Sequence, residues 1–256
     1  MRKTIIRLEQ TDSTNRYLRE HGAAGEGMTV VVAGFQTAGR GQGTNTWESE
    51  PGKNLLMSIL WTPKEEESLP SAASVRMSMG RLFLFSEAGA LAVGRALASY
   101  TDGITLKWPN DIYWKDYKIS GTLIETAVGG RGLRSCLYGV GINVNQTVFR
   151  SDAPNPVSLA QILGHEVDVE EVMQRVLDAF DQEITAVSEG RAEEVSRRYH
   201  ASLYRRSGYH LYRDGEGPFE AEIVRVEDDG HLMLCDSASR IRRYAFKEVE
   251  FILPAT

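Results

Sequence analysis

Two uninterrupted apolar runs constrain this chain most: TVVVAGF, Thr29 to Phe35, and NLLMSILW, Asn54 to Trp61. Both are too short for a globular helix and rich in β-branched or large apolar residues, so each reads as a buried strand. Between them lies QTAGRGQGTNTWESEPGK, Gln36 to Lys53, which lacks apolar periodicity and reads as a long loop. Loops longer than about 12–15 residues are more often functional, so this one is read as covering a ligand. Ile5 to Leu8 forms another short strand, and RYLREHG a short helix with Asp12, Ser13 or Thr14 as cap and Gly22 as stop.

Helical spacing recurs twice. Phe85, Gly89, Ala92, Val93, Ala96, Leu97 and Tyr100 share one face, and Val169 through Val187 mark an amphipathic helix with Asp168 as its N-cap. A further helix carries Val195, Tyr199 and Leu203, and LRSCLYGVGINVN is a strand. After Leu203 the pattern becomes short strands, with Asp229-Gly230 at a hairpin turn. Two domains are therefore expected, residues 1–204 and a small all-β unit at 205–256.

The 256 residues suffice for a sizeable core, and the net charge of -6 argues against a dedicated nucleic-acid binder. Two distant cysteines fit a reducing compartment, and no histidines pair at metal-ligand spacing. No apolar run reaches about 18 residues, so no membrane span and a cytoplasmic location are expected.

Four stretches carry chemistry. In the long loop, Gly39, Gly41 and Gly43 let the backbone approach an anion and Arg40 adds a fixed cation. KWPNDIYWKDYKISG, Lys107 to Gly121, is dense in charge on a stiff aromatic frame; alone it reads as a charged hairpin with a Lys115–Asp116 pair. Strand alternation there puts Lys118, Ser120 and Thr122 on one face and Ile119, Gly121 and Leu123 on the other. GVGIN, Gly139 to Asn143, marks either a close approach or a bulge, and DSTN, Asp12 to Asn15, reads alone as a helix cap. No residue stands out as an enzymatic nucleophile, so an enzyme of this kind would position two substrates and stabilise charge.

Together, in this order, DSTN, QTAGRG, WES, KWPND, KISGTLIE and GVGIN resemble the biotin protein ligases, also called biotin–[acetyl-CoA-carboxylase] ligases. The resemblance spans the chain and is only architectural in its C-terminal part. It implies an α+β fold: a mixed-sheet catalytic domain similar to class II aminoacyl-tRNA synthetases, followed by an SH3-like β-barrel. It also implies formation of biotinyl-5′-AMP from biotin and MgATP, then transfer of biotin to a lysine of a biotin carboxyl carrier protein. The residues implied for biotin are Ser13, Thr14, Asn15, Gln36, Gly39, Arg40, Lys118, Gly121 and Gly139. Those implied for the nucleotide are Arg40, Trp47, Asn110, Lys118 and Asn143, with Lys118, Arg40 and Asp111 as the catalytic groups. Asp111 would orient the incoming lysine or accept its proton, since an amine with an ordinary pKa of about 10.4 must lose one to attack.

Two departures from the family pattern carry expectations. Gln42 stands where many members have a second arginine that retains the adenylate, so Gln42→Arg is expected to tighten adenylate binding. DSTN begins at residue 12, which leaves no room for the helix-turn-helix domain of some bacterial members, so neither repression nor DNA binding is expected. Oligomeric state stays open, a homodimer being one option. Two rivals remain: a lipoate or octanoate ligase or transferase of the same fold, and a nucleic-acid binder using Arg205, Arg206, Arg240, Arg242 and Arg243.

Overall fold

The structure is a computed structural model, and it describes residues 1–23, 27–41, 43, 45–63, 82–129, 132–151 and 153–253. Among the described residues seven strands form the larger sheet: β1 (Lys3–Thr11), β2 (Gly27–Gln36), β3 (Leu55–Thr62), β4 (Ile104–Lys107), β5 (Asp111–Trp114), β6 (Tyr117–Gly129) and β7 (Gly132–Ile142). Their spatial order is β1-β2-β3-β7-β6-β5-β4. β1 and β2 run parallel and every other neighbouring pair is antiparallel, so the sheet is mixed.

Both faces of this sheet are covered, which is why its central strands are continuously apolar. Val30, Met57, Ile59 and Tyr138 face the main core beneath α2 (Phe83–Ala98) and α4 (Val169–Ser188). Val31 and Leu137 face the other way, onto Leu18 of α1 (Thr14–His21). Gly89 is where α2 meets the sheet, because a Cβ there would lie 2.8 Å from the Tyr138 ring. Tyr138 in turn stands edge-on to Phe180 of α4, with centroids 4.7 Å apart, and burial pushes its phenol well above the ordinary range.

Helix ends follow the expected chemistry in part. The Asp168 carboxylate accepts from the backbone N–H of Glu170 at 2.9 Å, as its place at the head of α4 predicts. Gly22 stops α1 with φ 72°, whereas the N-cap Ser13 makes no side-chain capping bond. A short helix, α3 (Leu159–Leu163), was not visible in apolar spacing; a Ser158–Gln161 capping box starts it. Helix α5 (Ala192–Ala201) ends before Leu203, which is buried against Leu106 instead. Arg95 of α2 and Arg198 of α5 meet the fully buried Glu183 of α4 at 2.7 Å each, which removes the penalty of an unpaired buried charge. The connection PKEEESLPS falls, beyond Pro63, outside the described residues.

The second sheet contains β8 (His210–Asp214), β9 (Gly217–Val226), β10 (Leu232–Asp236), β11 (Ile241–Tyr244) and β12 (Glu250–Phe251), ordered β11-β10-β9-β8-β12 and antiparallel throughout. The β9–β10 hairpin turns at Asp229-Gly230, with Gly230 at φ 90°. Among the described residues no helix is long and apolar enough to cross a membrane.

Candidate active site

The face of the larger sheet that carries α1 also carries a cavity of about 810 Å³. Its position follows from strand register. On β7, Tyr138 and Val140 point into the core, so Gly139 and Gly141 fall on the opposite face. Gly141 pairs directly with Gly121 of β6, and Gly139 with Ser58 of β3. Three glycines thus leave the centre of the sheet without side chains.

Two side chains occupy that bare patch. A Cβ on Gly139 would lie 2.5 Å from Oδ1 of Asn15, and a Cβ on Gly141 would lie 2.5 Å from the Trp47 indole. A Cβ on Gly121 would approach the same indole at 3.1 Å. The register of β7 is regular through both glycines, so GVGIN is a close approach and not a bulge. Among the described residues the buried Trp47 Nε1–H has no acceptor, which leaves one donor available to a ligand.

The DSTN segment meets the long loop at one corner of the cavity. Gln36 Oε1 accepts from the backbone N–H of Thr14 at 2.8 Å and from its hydroxyl at 3.0 Å. The Ser58 hydroxyl lies 2.7 Å from Thr14 Oγ1 and also contacts Asn15 Oδ1. Ser13, Thr14 and Asn15 are all buried, and each lines the cavity. Ser58 was not anticipated; the signal was present, since it is the lone polar residue inside the run LLMSILW.

Gly39 and Gly41 are tied to Trp47 and Asn45 by backbone hydrogen bonds. Gly41 N–H donates to Asn45 at 2.8 Å, and Trp47 N–H donates to Gly39 at 3.0 Å. Gly39 packs on Trp47 and does not itself line the cavity. Arg40 is exposed at the cavity wall and, among the described residues, pairs with no carboxylate. Gln42 lies outside the described residues. Past the tryptophan, the Glu48 carboxylate accepts from the backbone N–H groups of Arg150 and Ser151, the latter at 2.7 Å. Burial raises the Glu48 carboxyl, but hydrogen bonds from Ser151, Arg150 and Gln146 outweigh it and hold the group below its ordinary value.

The KWPND turn and β6 form the opposite wall. Asp111 Oδ1 stands 2.7 Å from Lys118 Nζ. Simple alternation, which set Lys118 and Gly121 on opposite faces, fails here. Ile112 pairs with Ser120 but Tyr113 with Lys118, so the register slips by one residue at Ile119. A bulge of this kind turns the side chains beyond it to the other face. Lys118 therefore shares the cavity with Gly121, whose Cβ would lie 3.5 Å from Lys118 Cε.

Asn110 and Asn143 also line the cavity, and their amides are engaged locally: Asn110 donates to the Thr122 carbonyl and Asn143 to the Val157 carbonyl at 3.1 Å. Lys107, unassigned from sequence, lines it too, 4.7 Å from the Phe251 ring centroid. Burial holds its ammonium below the ordinary lysine range, with Asp111 pulling the other way.

The expected Lys115–Asp116 pair does not form. Lys115 Nζ sits over the Trp114 ring at 4.4 Å, and Asp116 accepts from the Tyr204 hydroxyl at 2.6 Å. Four of the arginines considered for nucleic acid are engaged within the chain. Arg240 and Arg242 bind Asp236, Arg243 binds Glu227, and Arg205 donates to the carbonyls of Leu211 and Ile252. Among the described residues no cluster of three or more His, Cys, Asp or Glu side chains suits a metal ion.

Comparison with known proteins agrees with this geometry. A bifunctional ligase/repressor from Bacillus subtilis is 28% identical over 89% of this chain and 67% of its own length. A biotin–[acetyl-CoA-carboxylase] ligase from Paracoccus denitrificans is 26% identical over 91% of this chain and 95% of its own. Among solved structures, the Aquifex aeolicus biotin protein ligase in complex with biotin and ATP superposes with a TM-score of 0.75 at 26% identity, covering 98% of this chain and 99% of that one. Residues 8–143, more than half of the 256, match the biotin/lipoate A/B protein ligase family, and the chain belongs to that family.

Proposed function

We propose that this chain is an ATP-dependent biotin–protein ligase. It forms biotinyl-5′-AMP and passes biotin to a lysine of a biotin carboxyl carrier protein. One observation carries the reading: Arg40, Lys118 and Asp111 converge on a single cavity over a floor of Gly121, Gly139 and Gly141. That cavity lies within the usual range for a small-molecule site, about 300–1,000 Å³. The Paracoccus relative's name and the Aquifex ligand set support the choice of biotin and ATP.

In the first step a biotin carboxylate oxygen attacks the α-phosphorus, a P–O bond forms and pyrophosphate leaves. Two anions must meet, so the protein's task is to screen them. Lys118 and Arg40 supply fixed positive charge where it builds on the phosphoryl oxygens, and removing one such donor typically costs about 10²–10³ in rate. In the second step the carrier lysine attacks the acyl carbon and AMP leaves. Asp111 holds that amine and takes its proton. Ser13, Thr14, Asn15, Gln36, Gly39 and Gly139 serve biotin, while Trp47, Asn110 and Asn143 serve the nucleotide. Magnesium belongs to the nucleotide substrate: the described residues offer it no cage, and Mg²⁺ is commonly held by phosphates and water with few protein ligands.

In the same proposal residues 1–204 form the catalytic unit, akin to class II synthetases, and residues 205–256 an SH3-like barrel. The run of five antiparallel neighbours in the second sheet supports the latter. A cytoplasmic setting is supported by two free cysteines, Cys136 and Cys235, and the carrier is that of acetyl-CoA carboxylase or a related enzyme. DNA and membrane are not partners in this reading, and a homodimer is compatible with it.

The direct test is incubation with biotin, MgATP and a carrier domain, scored by mass gain on the carrier lysine. Pyrophosphate exchange with lipoate and none with biotin would overturn the assignment.

A further inference from the structure

The turn between β11 and β12 belongs to the second sheet, yet it reaches the cavity. Phe246 lines the cavity wall and meets Trp108 of the KWPND turn edge-on, with centroids 6.3 Å apart. Trp108 Nε1–H is anchored on the Gly230 carbonyl at 2.9 Å, so the second sheet grips this wall at two points. The next residue, Lys247, extends its ammonium to Gly43, where an added Cβ would collide with it.

Three features single out Lys247. Its backbone has φ 70°, a left-handed conformation that costs a non-glycine residue energy and is enriched at functional positions. Among the described residues its ammonium pairs with no carboxylate. The neighbouring acid is already engaged, since Glu248 accepts from Ala245 N–H at 2.7 Å. The cavity also lacks negative charge to satisfy its cations. Arg40, Lys107 and Lys118 line it, Asp111 is paired with Lys118, and Glu48 is bound to the backbone N–H groups of Arg150 and Ser151.

We infer that Lys247 is a further nucleotide-binding residue, holding the polyphosphate of ATP from the β11–β12 turn beside Gly43. The inference rests on the ligase reading above. Lys247 contributes charge to the ground-state complex and is not itself among the residues lining the cavity with the Lys118–Asp111 pair, so its loss acts on KM for ATP and leaves KM for biotin unchanged.

The experiment is biotin-dependent ATP–pyrophosphate exchange with Lys247→Gln, Lys247→Glu, Lys247→Arg and Lys247→Gly. Loss of one charge-assisted phosphate contact raises KM for ATP about tenfold in Lys247→Gln, and further in Lys247→Glu. Lys247→Arg restores the parental value. Lys247→Gly relieves the left-handed strain, so its Tm does not fall, yet it shares the raised KM; that separates charge from folding. A parental KM for ATP in Lys247→Glu overturns the inference while the ligase reading stands. Absence of exchange in the parent chain overturns both.

Discussion

Lys118 Nζ and Asp111 Oδ1 lie 2.7 Å apart at the edge of a floor made by facing glycines, Gly121 and Gly141. The two side chains keep 23% and 18% of their surface exposed, so water still reaches Asp111 when its partner is removed. Lys118→Ala therefore leaves the fold standing and lowers adenylate formation by about 10²-fold or more. The checks are exchange rate and Tm; near-normal exchange removes the role assigned to Lys118.

Asp111→Asn separates the two half-reactions. The amide keeps the shape but cannot take a proton, so adenylate forms while transfer to the carrier slows by about 10²–10⁴-fold. Single-turnover transfer from preformed biotinyl-5′-AMP measures this. Equal transfer rates in mutant and parent across neutral and alkaline pH would sink the idea.

Gly141→Ala places a methyl group where the Trp47 indole lies. Overpacking of this kind costs about 1–3 kcal/mol. The indole must shift, so the variant loses stability in urea and binds nucleotide more weakly. Trp47→Ala in the same background should recover the stability and not the binding.

Acid stability of the second sheet depends on Asp236. The backbone N–H of Arg240 is the foremost influence; burial opposes it, and the guanidinium groups of Arg242 and Arg240 with Ala238 N–H complete the pull to about 2 from an ordinary 3.8. A depressed carboxyl stabilises the folded state fully above its unfolded pKa, and that contribution is lost as pH falls through the folded value. Asp236 therefore supports the sheet down to about pH 4 and fails progressively toward pH 2. Asp236→Asn should lower Tm at pH 7 and flatten its decline between those limits, as a Tm series against pH would show.

The sequence shows the elements well where apolar residues have a period, and poorly where one polar group decides. Val30 and Val31 face opposite cores, so β2 was legible as a buried strand without knowledge of its neighbours. Helix α4 was equally plain. β5 was not, because it is only four residues long and begins at Asp111, beside Asn110 in what reads as a turn, while Ile112 and Tyr113 are buried. Gly121 was set on the face opposite Lys118 because alternation assumes an unbroken register, and the slip at Ile119 has no signature in residue type. Ordered motifs brought Arg40, Asp111, Lys118 and the glycines together. They omit Ser58 and Phe246 and give Lys107 no role, because these positions depend on strand order and on the packing of one sheet against the other.

Strand order also bears on how the chain is made. β3 lies between β2 and β7, yet β7 follows it by some seventy residues of synthesis. Until Ile142 has left the ribosome, the edge of LLMSILW that pairs with β7 is open, largely apolar and without its partner strand. Such an edge invites pairing with other nascent chains. Truncations ending before β7 should therefore accumulate as aggregates or in the grip of chaperones, and a premature stop in this region would be more hazardous to a cell than mere loss of the enzyme.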